Sequence, residues 1–291
     1  MTGLIVKALG GFYYVRTPEG DMECRPIGLF RKEGISPMVG DRVTVEPTED
    51  GRGSLTEIAP RKNSLVRPPV ANLDRLAMVV SCAEPAPNIL VLDKLTAIAC
   101  RRGIPVTIIF SKIDLAAPDA YTEIYRRAGF QVFEVNSITG EGTAAVKAVL
   151  EQGLTAFCGN SGAGKSSLLN ALFPELSIVT DNISKKLGRG KHTTRHVELY
   201  ATGSEGYIAD TPGFSAVDFL QFERMPAREL EDCFPEFEGL PLKCRYTGCS
   251  HTTERDCAVL AAVEAGEIPV SRHQSYCTIY NELKQVKEWE L

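Results

Sequence analysis

One eight-residue run, Gly159-Asn160-Ser161-Gly162-Ala163-Gly164-Lys165-Ser166, constrains this chain more than any other feature. Glycines at 159, 162 and 164 let backbone amides converge on anionic oxygens where side chains would obstruct the approach. An apolar strand pattern at 154–158 runs into the loop, and a helical pattern at 167–172 follows it, with the helix starting near Lys165. A phosphate-binding loop needs that strand–loop–helix context, because the positive end of the helix completes the anion site. Lys165 is placed to reach the β- and γ-phosphates and Ser166 to ligate Mg²⁺, with Asn160, Ser161, Ala163 and Ser167 completing the loop.

The surrounding rhythm is that of an α/β domain. Strand patterns at 76–81, 104–110, 131–135 and 154–158 alternate with helical patterns at 91–102, 121–128 and 143–152. Such alternation predicts a mainly parallel sheet covered on both faces. The first sixty or so residues read differently. Short strands at 4–6, 12–15, 38–45 and 54–58, with a Gly10-Gly11 turn, predict a small barrel. By pattern alone it is equally an oligonucleotide-binding barrel or one of the SH3 kind. Residues 61–69, with Pro68-Pro69, read as a linker.

Other elements converge on a nucleotide. A strand at 206–209 ends in Asp210-Thr211-Pro212-Gly213, where Asp210 can hold Mg²⁺ through water and Gly213 can offer its amide to a γ-phosphate. Between the loop and this strand lies His192-Thr193-Thr194; Thr194 is the favoured residue to complete the metal shell when a γ-phosphate is bound, making the segment a switch. Ser111-Lys112-Ile113-Asp114 follows the strand ending at Phe110. The Asp114 carboxylate can accept from guanine N1 and its exocyclic amine, a donor pair adenine lacks, while Lys112 lies along the base plane. Ser137, in Asn136-Ser137-Ile138-Thr139, is placed to support the base edge. A metabolic P-loop kinase or ATPase is the competing class, and both Ser-Lys-Ile-Asp and Asp-Thr-Pro-Gly argue against it.

Two departures from the usual GTPase pattern stand out. Ser111 occupies the place of the customary Asn, which removes a two-ended amide and predicts weaker guanine affinity. Phe214 follows Asp-Thr-Pro-Gly where a water-orienting Gln is frequent. An apolar ring cannot orient water, so unassisted turnover is expected on the order of 10⁻⁴ to 10⁻³ s⁻¹. His192 is the nearest candidate to position that water, along with Lys165 as the catalytic cation; an ordinary solvated loop histidine is the alternative. The base elements precede the phosphate loop, so the domain is circularly permuted, and Asp210–Gly213 feeds directly into the C-terminal segment.

That segment carries Cys244, Cys249, His251 and Cys257, a tetrahedral Cys₃His set with no open position and hence a structural zinc site. Helical patterns at 258–266 and 272–287 complete it. The other cysteines, Cys82, Cys100 and Cys158 among them, read as free thiols in apolar runs, and the odd total of nine argues against a disulfide framework. The formal net charge of -5 gives no global sign of nucleic acid, but residues 184–196 hold Lys185, Lys186, Arg189, Lys191, Arg195 and two histidines with no acid. That run reads as a solvated loop, as an RNA contact, or as both. No apolar run approaches the twenty or so residues of a membrane span, and Met1 to Leu9 lacks a secretory pattern, so a cytoplasmic protein is expected.

Together these motifs resemble the ribosome small-subunit-dependent GTPase A family (RsgA, also called YjeQ or YloQ), and the resemblance covers the whole chain. It implies three domains: an oligonucleotide-binding (OB-fold) barrel at 1–62, a circularly permuted P-loop GTPase domain at 63–217, and a mainly helical zinc domain at 218–291. It further implies GTP hydrolysis stimulated by the small (30S) ribosomal subunit, contact with 16S rRNA, and a role in late subunit maturation. Mg²⁺ with GTP and one structural Zn²⁺ are the expected cofactors, and a monomer with no membrane partner the expected state.

Overall fold

The computed structural model describes residues 1–49, 51–65, 68–176, 197–203, 205–210 and 225–286. The barrel comprises β1 (Thr2–Leu9), β2 (Phe12–Thr17), β3 (Gly20–Pro26), a short helix α1 (Gly28–Lys32), β4 (Arg42–Pro47) and β5 (Gly53–Ile58). Its strands run β1-β2-β3-β5-β4 and close through β1–β4, with β3 and β5 parallel and the rest antiparallel. This order is that of the OB-fold, which decides between the two barrels left open by the pattern. Alternation sends Ile5, Val15, Cys24, Val45 and Leu55 inward, all of them fully buried. Strand β3 escaped the periodicity reading because its outward residues, Asp21, Glu23 and Arg25, leave only Met22 and Cys24 as apolar signal.

Residues 61–65 and 68–73 are a packed joint rather than a free linker. Two short strands, β6 (Ser64–Leu65) and β7 (Val70–Ala71), pair as a ribbon, and Leu65, Val70, Ala71 and Leu73 are fully buried. The Asn63 side chain brackets Leu73, donating to its carbonyl at 2.9 Å and accepting from its amide at 2.8 Å. Arg61 meets the buried Asp41 at 2.7 Å. Two prolines and a polar composition looked like spacer, whereas the anchors are the four buried apolar side chains on either side of the proline pair.

The nucleotide-domain sheet contains β8 (Arg75–Ser81), β9 (Val106–Ser111), β10 (Gln131–Val135), β11 (Gln152–Cys158), β12 (Glu198–Ala201) and β13 (Glu205–Asp210). Its order is β10-β9-β8-β11-β13-β12, parallel except at β12. Strand β8 reads as an unbroken apolar run because both faces are covered. Leu76 and Met78 face α2 (Ile89–Arg101) and α3 (Asp119–Arg127), while Ala77 and Val79 face α4 (Thr143–Leu150) and α5 (Lys165–Leu172). At the sheet edge β12 pairs with β1 through Lys7 and Glu198, whose side chains also meet at 3.0 Å, so barrel and nucleotide domain share one continuous sheet.

The C-terminal segment runs through short 3₁₀ turns into α6 (Ala258–Glu264) and α7 (Val270–Lys284). Phe234, Phe237 and Tyr276 form its aromatic core, with Tyr276 edge-on to Phe234 at a centroid distance of 5.2 Å. From α7, the fully buried Arg272 reaches Asp93 of α2 at 2.6 Å and Glu236 at 2.6 Å, with its guanidinium 4.4 Å from the Phe234 ring centre. Tyr125 of α3 donates to the same Asp93 oxygen at 2.8 Å. This network joins the C-terminal segment to the nucleotide domain.

Candidate nucleotide site and candidate metal centre

The phosphate loop leaves the C-terminal end of β11 and enters α5, whose Leu168, Leu169 and Leu172 are buried against the sheet. Gly159 has φ of 147°, and a Cβ there would lie 2.3 Å from the Val79 carbonyl oxygen of the neighbouring strand. Only glycine lets the loop start this close to β8. Gly164 caps α5 with φ of 91°. Lys165 Nζ lies over the loop, donating to the Gly159 carbonyl at 2.6 Å and the Asn160 carbonyl at 2.9 Å. Ser166 is half-buried on the first turn of α5, and Ser161 and Ser167 are exposed. Gly159→Ala is therefore expected to displace the loop by several tenths of an ångström and to cost nucleotide affinity about tenfold or more, a loss equivalent to ~1.4 kcal/mol. Titration with a fluorescent guanine nucleotide checks this; unchanged affinity would show that the loop tolerates the shift.

The base-recognition loop hangs from β9. Ser111 is buried and donates its hydroxyl to the Ala163 carbonyl of the phosphate loop at 2.6 Å. The serine thus ties base loop to phosphate loop with a single hydroxyl, the structural part of the task left after losing the amide. Lys112 follows with φ of 59°, an unusual conformation for a residue with a side chain. The Leu115 amide holds it by donating to the Lys112 carbonyl at 3.0 Å, while Lys112 Nζ donates to the Glu84 carbonyl. Ile113 is half-buried and Asp114 exposed, on the same end of the sheet as the phosphate loop. On the adjacent β10, the buried Asn136 accepts from the amides of Ile138 and Thr139 at 2.9 and 3.2 Å, an Asx-type turn that shapes the loop carrying Ser137. Asn136, rather than Ser137, is the residue whose side chain builds this turn. Strand β13 carries Asp210 to the same edge through its parallel pairing with β11. The side chain of Asp210, together with His192, Thr194 and Gly213, lies outside the described residues.

In the C-terminal segment Cys244, Cys249, His251 and Cys257 bring their ligand atoms within 4.8 Å of one another. The arrangement suits a tetrahedral ion. Ligand bonds of about 2.3 Å to sulfur and 2.0 Å to nitrogen place sulfurs roughly 3.7 Å apart and sulfur and nitrogen roughly 3.5 Å apart. Here Cys244 and Cys257 Sγ are 3.9 Å apart, and His251 Nδ1 is 3.4 Å from Cys257 Sγ and 3.7 Å from Cys244 Sγ. His251 is buried, with its other ring nitrogen 2.6 Å from a Glu231 carboxylate oxygen. That contact orients the ring with Nδ1 toward the sulfurs, as outer carboxylates do for metal-bound histidines. Glu231 sits far upstream in the chain, and no spacing rule points to it.

A phosphate loop on β11, base loops on β9 and β10 earlier in the chain, and an aspartate closing β13 define a P-loop GTPase of circularly permuted order. The description "RsgA GTPase" matches residues 58–220 and "RsgA N-terminal domain" matches residues 2–55. The chain belongs to the RsgA GTPase family and is a GTP hydrolase. It is 44% identical over 291 residues to the small ribosomal subunit biogenesis GTPase RsgA of Bacillus cereus, covering 98% of each chain. Its identity to the same-named protein of Geobacillus kaustophilus is also 44%, over 98% of each. Among solved structures it resembles YjeQ from Thermotoga maritima, at a TM-score of 0.82 and 29% identity over 98% of this chain and 99% of that one. It also resembles YloQ, described as a circularly permuted GTPase, at a TM-score of 0.81 and 35% identity over 98% of this chain and 96% of that one.

Proposed function

We propose that this GTPase acts in biogenesis of the small ribosomal subunit, binding the subunit and its 16S rRNA with GTP bound and hydrolysing GTP to GDP and phosphate late in maturation. The observation that carries this reading is the collinear likeness, barrel through metal cluster, to relatives named for that role. The domains are taken as 1–62, 63–217 and 218–291.

In the nucleotide site, the amides of Gly159 to Ser166 cradle the phosphates, and Lys165 balances charge on the β- and γ-oxygens as the bond to the leaving group breaks. Ser166, Thr194 and Asp210 are the residues that would hold Mg²⁺, which neutralises phosphate charge when bound. Lys112, Ile113 and Asp114, steadied by Ser111, take the guanine, with Ser137 at its edge and Gly213 at the γ-phosphate. His192 is the chain's own candidate to position the attacking water. With Phe214 unable to do so, a group from the subunit completes the site. The Cys244, Cys249, His251 and Cys257 set takes one structural Zn²⁺, since four protein ligands leave no open position.

The test is GTP turnover with and without purified small subunits, with Lys165→Ala as the blank. Stimulation of at least ~10-fold is expected, because completing a GTPase site in trans is worth far more than that in related systems. Slow turnover unchanged by subunits would leave a GTPase whose partner lies elsewhere.

A further inference from the structure

The hydroxyl of Ser111 is turned into the protein. The residue is 1% exposed, and its oxygen lies 2.6 Å from the Ala163 carbonyl of the phosphate loop, with the Val80 carbonyl of β8 next at 3.3 Å. A hydroxyl has one proton to give. Both neighbours are acceptors, so that proton is spent inside the protein. A carboxamide in the same place, with two N–H groups, would satisfy Ala163 and keep a second donor. On the adjoining base loop the Ile138 and Thr139 amides are likewise drawn to the Asn136 side chain, at 2.9 and 3.2 Å. Lys112 Nζ is held on the Glu84 carbonyl.

Guanine offers two different edges to a protein. Its N1–H and exocyclic amine lie on the six-membered ring, away from the sugar. N7 is an acceptor in the five-membered ring, which carries the sugar and hence the phosphates. Asp114 is placed for the first edge. Ser111 instead touches the phosphate loop: besides the Ala163 contact, its Oγ lies 3.6 Å from where a Cβ on Gly164 would stand. A base spanning from the phosphates to Asp114 therefore turns its N7 side toward the end of β9 where Ser111 stands. We infer that Ser111 sets the base specificity of this site by leaving N7 unread, so that 7-deazaguanine nucleotides are accepted as well as guanine nucleotides. The inference rests on the proposed placement of guanine against Asp114. Its physical basis is the asymmetry of hydrogen-bond discrimination. A site that donates to a ligand atom rejects the analogue lacking that atom, because the donor is left unpaired, and a site with no donor there has nothing to leave unpaired. In 7-deazaguanine a C–H replaces N7, and the edge facing Asp114 is unchanged.

The test measures binding of GDP, 7-deaza-GDP and IDP to the full chain by competition with a fluorescent guanine nucleotide. 7-Deaza-GDP is expected to bind within about twofold of GDP. IDP, whose base lacks the exocyclic amine, should bind about tenfold or more weakly, the worth of a hydrogen bond to a charged group. Ser111→Asn should introduce a preference for GDP over 7-deaza-GDP of about three- to tenfold, the worth of one neutral hydrogen bond. Ser111→Ala, which loses only the tie to Ala163, should weaken GDP and 7-deaza-GDP by the same factor. A wild-type loss of about threefold or more on 7-deaza-GDP, with IDP still rejected, would overturn the inference and leave Asp114 as the guanine reader. A folded Ser111→Asn protein that fails to distinguish the two nucleotides would also overturn it, by showing that N7 lies out of reach of this position. IDP bound as tightly as GDP would instead refute the placement of guanine against Asp114, and the inference with it.

Discussion

Chelating the metal from the Cys244, Cys249, His251 and Cys257 cluster, or replacing Cys249 by Ala, should unfold the C-terminal segment while GTP binding survives. The apparent binding energy of a structural zinc site is about 10 to 16 kcal/mol. The small aromatic core of Phe234, Phe237 and Tyr276 cannot replace a contribution of that size. Guanine-nucleotide binding should persist because the phosphate loop and α5 pack into a separate apolar cluster on the other face of the sheet, around Val79, Phe157 and Leu168. Limited proteolysis, zinc stoichiometry and nucleotide titration on one preparation check all three parts. A Cys249→Ala protein that retains one zinc per chain would sink the ligand assignment. Glu231→Gln should act more mildly, lowering metal affinity about 10- to 100-fold without abolishing the site, as loss of an outer-shell partner does.

Arg272→Met is expected to destabilise the folded chain by about 3 to 5 kcal/mol, because it strands two buried carboxylates. Asp93 is fully buried and the Glu236 side chain is 3% exposed, so neither can recover its charge balance from water. Adding Asp93→Asn and Glu236→Gln should restore part of the loss, since the penalty lies in the unpaired charge rather than in the missing attraction. Urea unfolding of the single and triple variants reads the difference. A loss below about 1 kcal/mol in the single variant would mean that the guanidinium contributes little beyond packing, the usual outcome for an exposed pair.

The class of the nucleotide site, a circularly permuted GTPase, was legible in the residues, because its loops depend on local features. A glycine-rich turn between strand and helix, a carboxylate at a strand end, and four sulfur or imidazole donors in a short segment each carry their geometry in their spacing. The order of base loops before phosphate loop is likewise a property of the chain alone. Elements with weak patterns were missed. Strand β3 alternates charged residues with only two apolar ones, β12 is a four-residue edge strand, and the ribbon of β6 and β7 lies among residues that look like spacer. Barrel type also stayed open, since short strands and turns are common to several barrels and only the parallel β3–β5 pairing distinguishes them here.

By itself the sequence determined the chemical class of the site and pointed to a Cys/His cluster that could hold a metal ion, because phosphate cradles and tetrahedral donor sets are built from residues near one another along the chain. Tertiary structure alone decided that Ser111 binds the phosphate loop, that Glu231 orients His251, and that Arg272 joins α7 to Asp93. Each of these contacts joins residues from twenty to well over a hundred positions apart. No periodicity encodes such pairs. They exist only once sheet order and helix packing have brought buried polar groups within reach of partners, and burial makes leaving any of them unpaired costly.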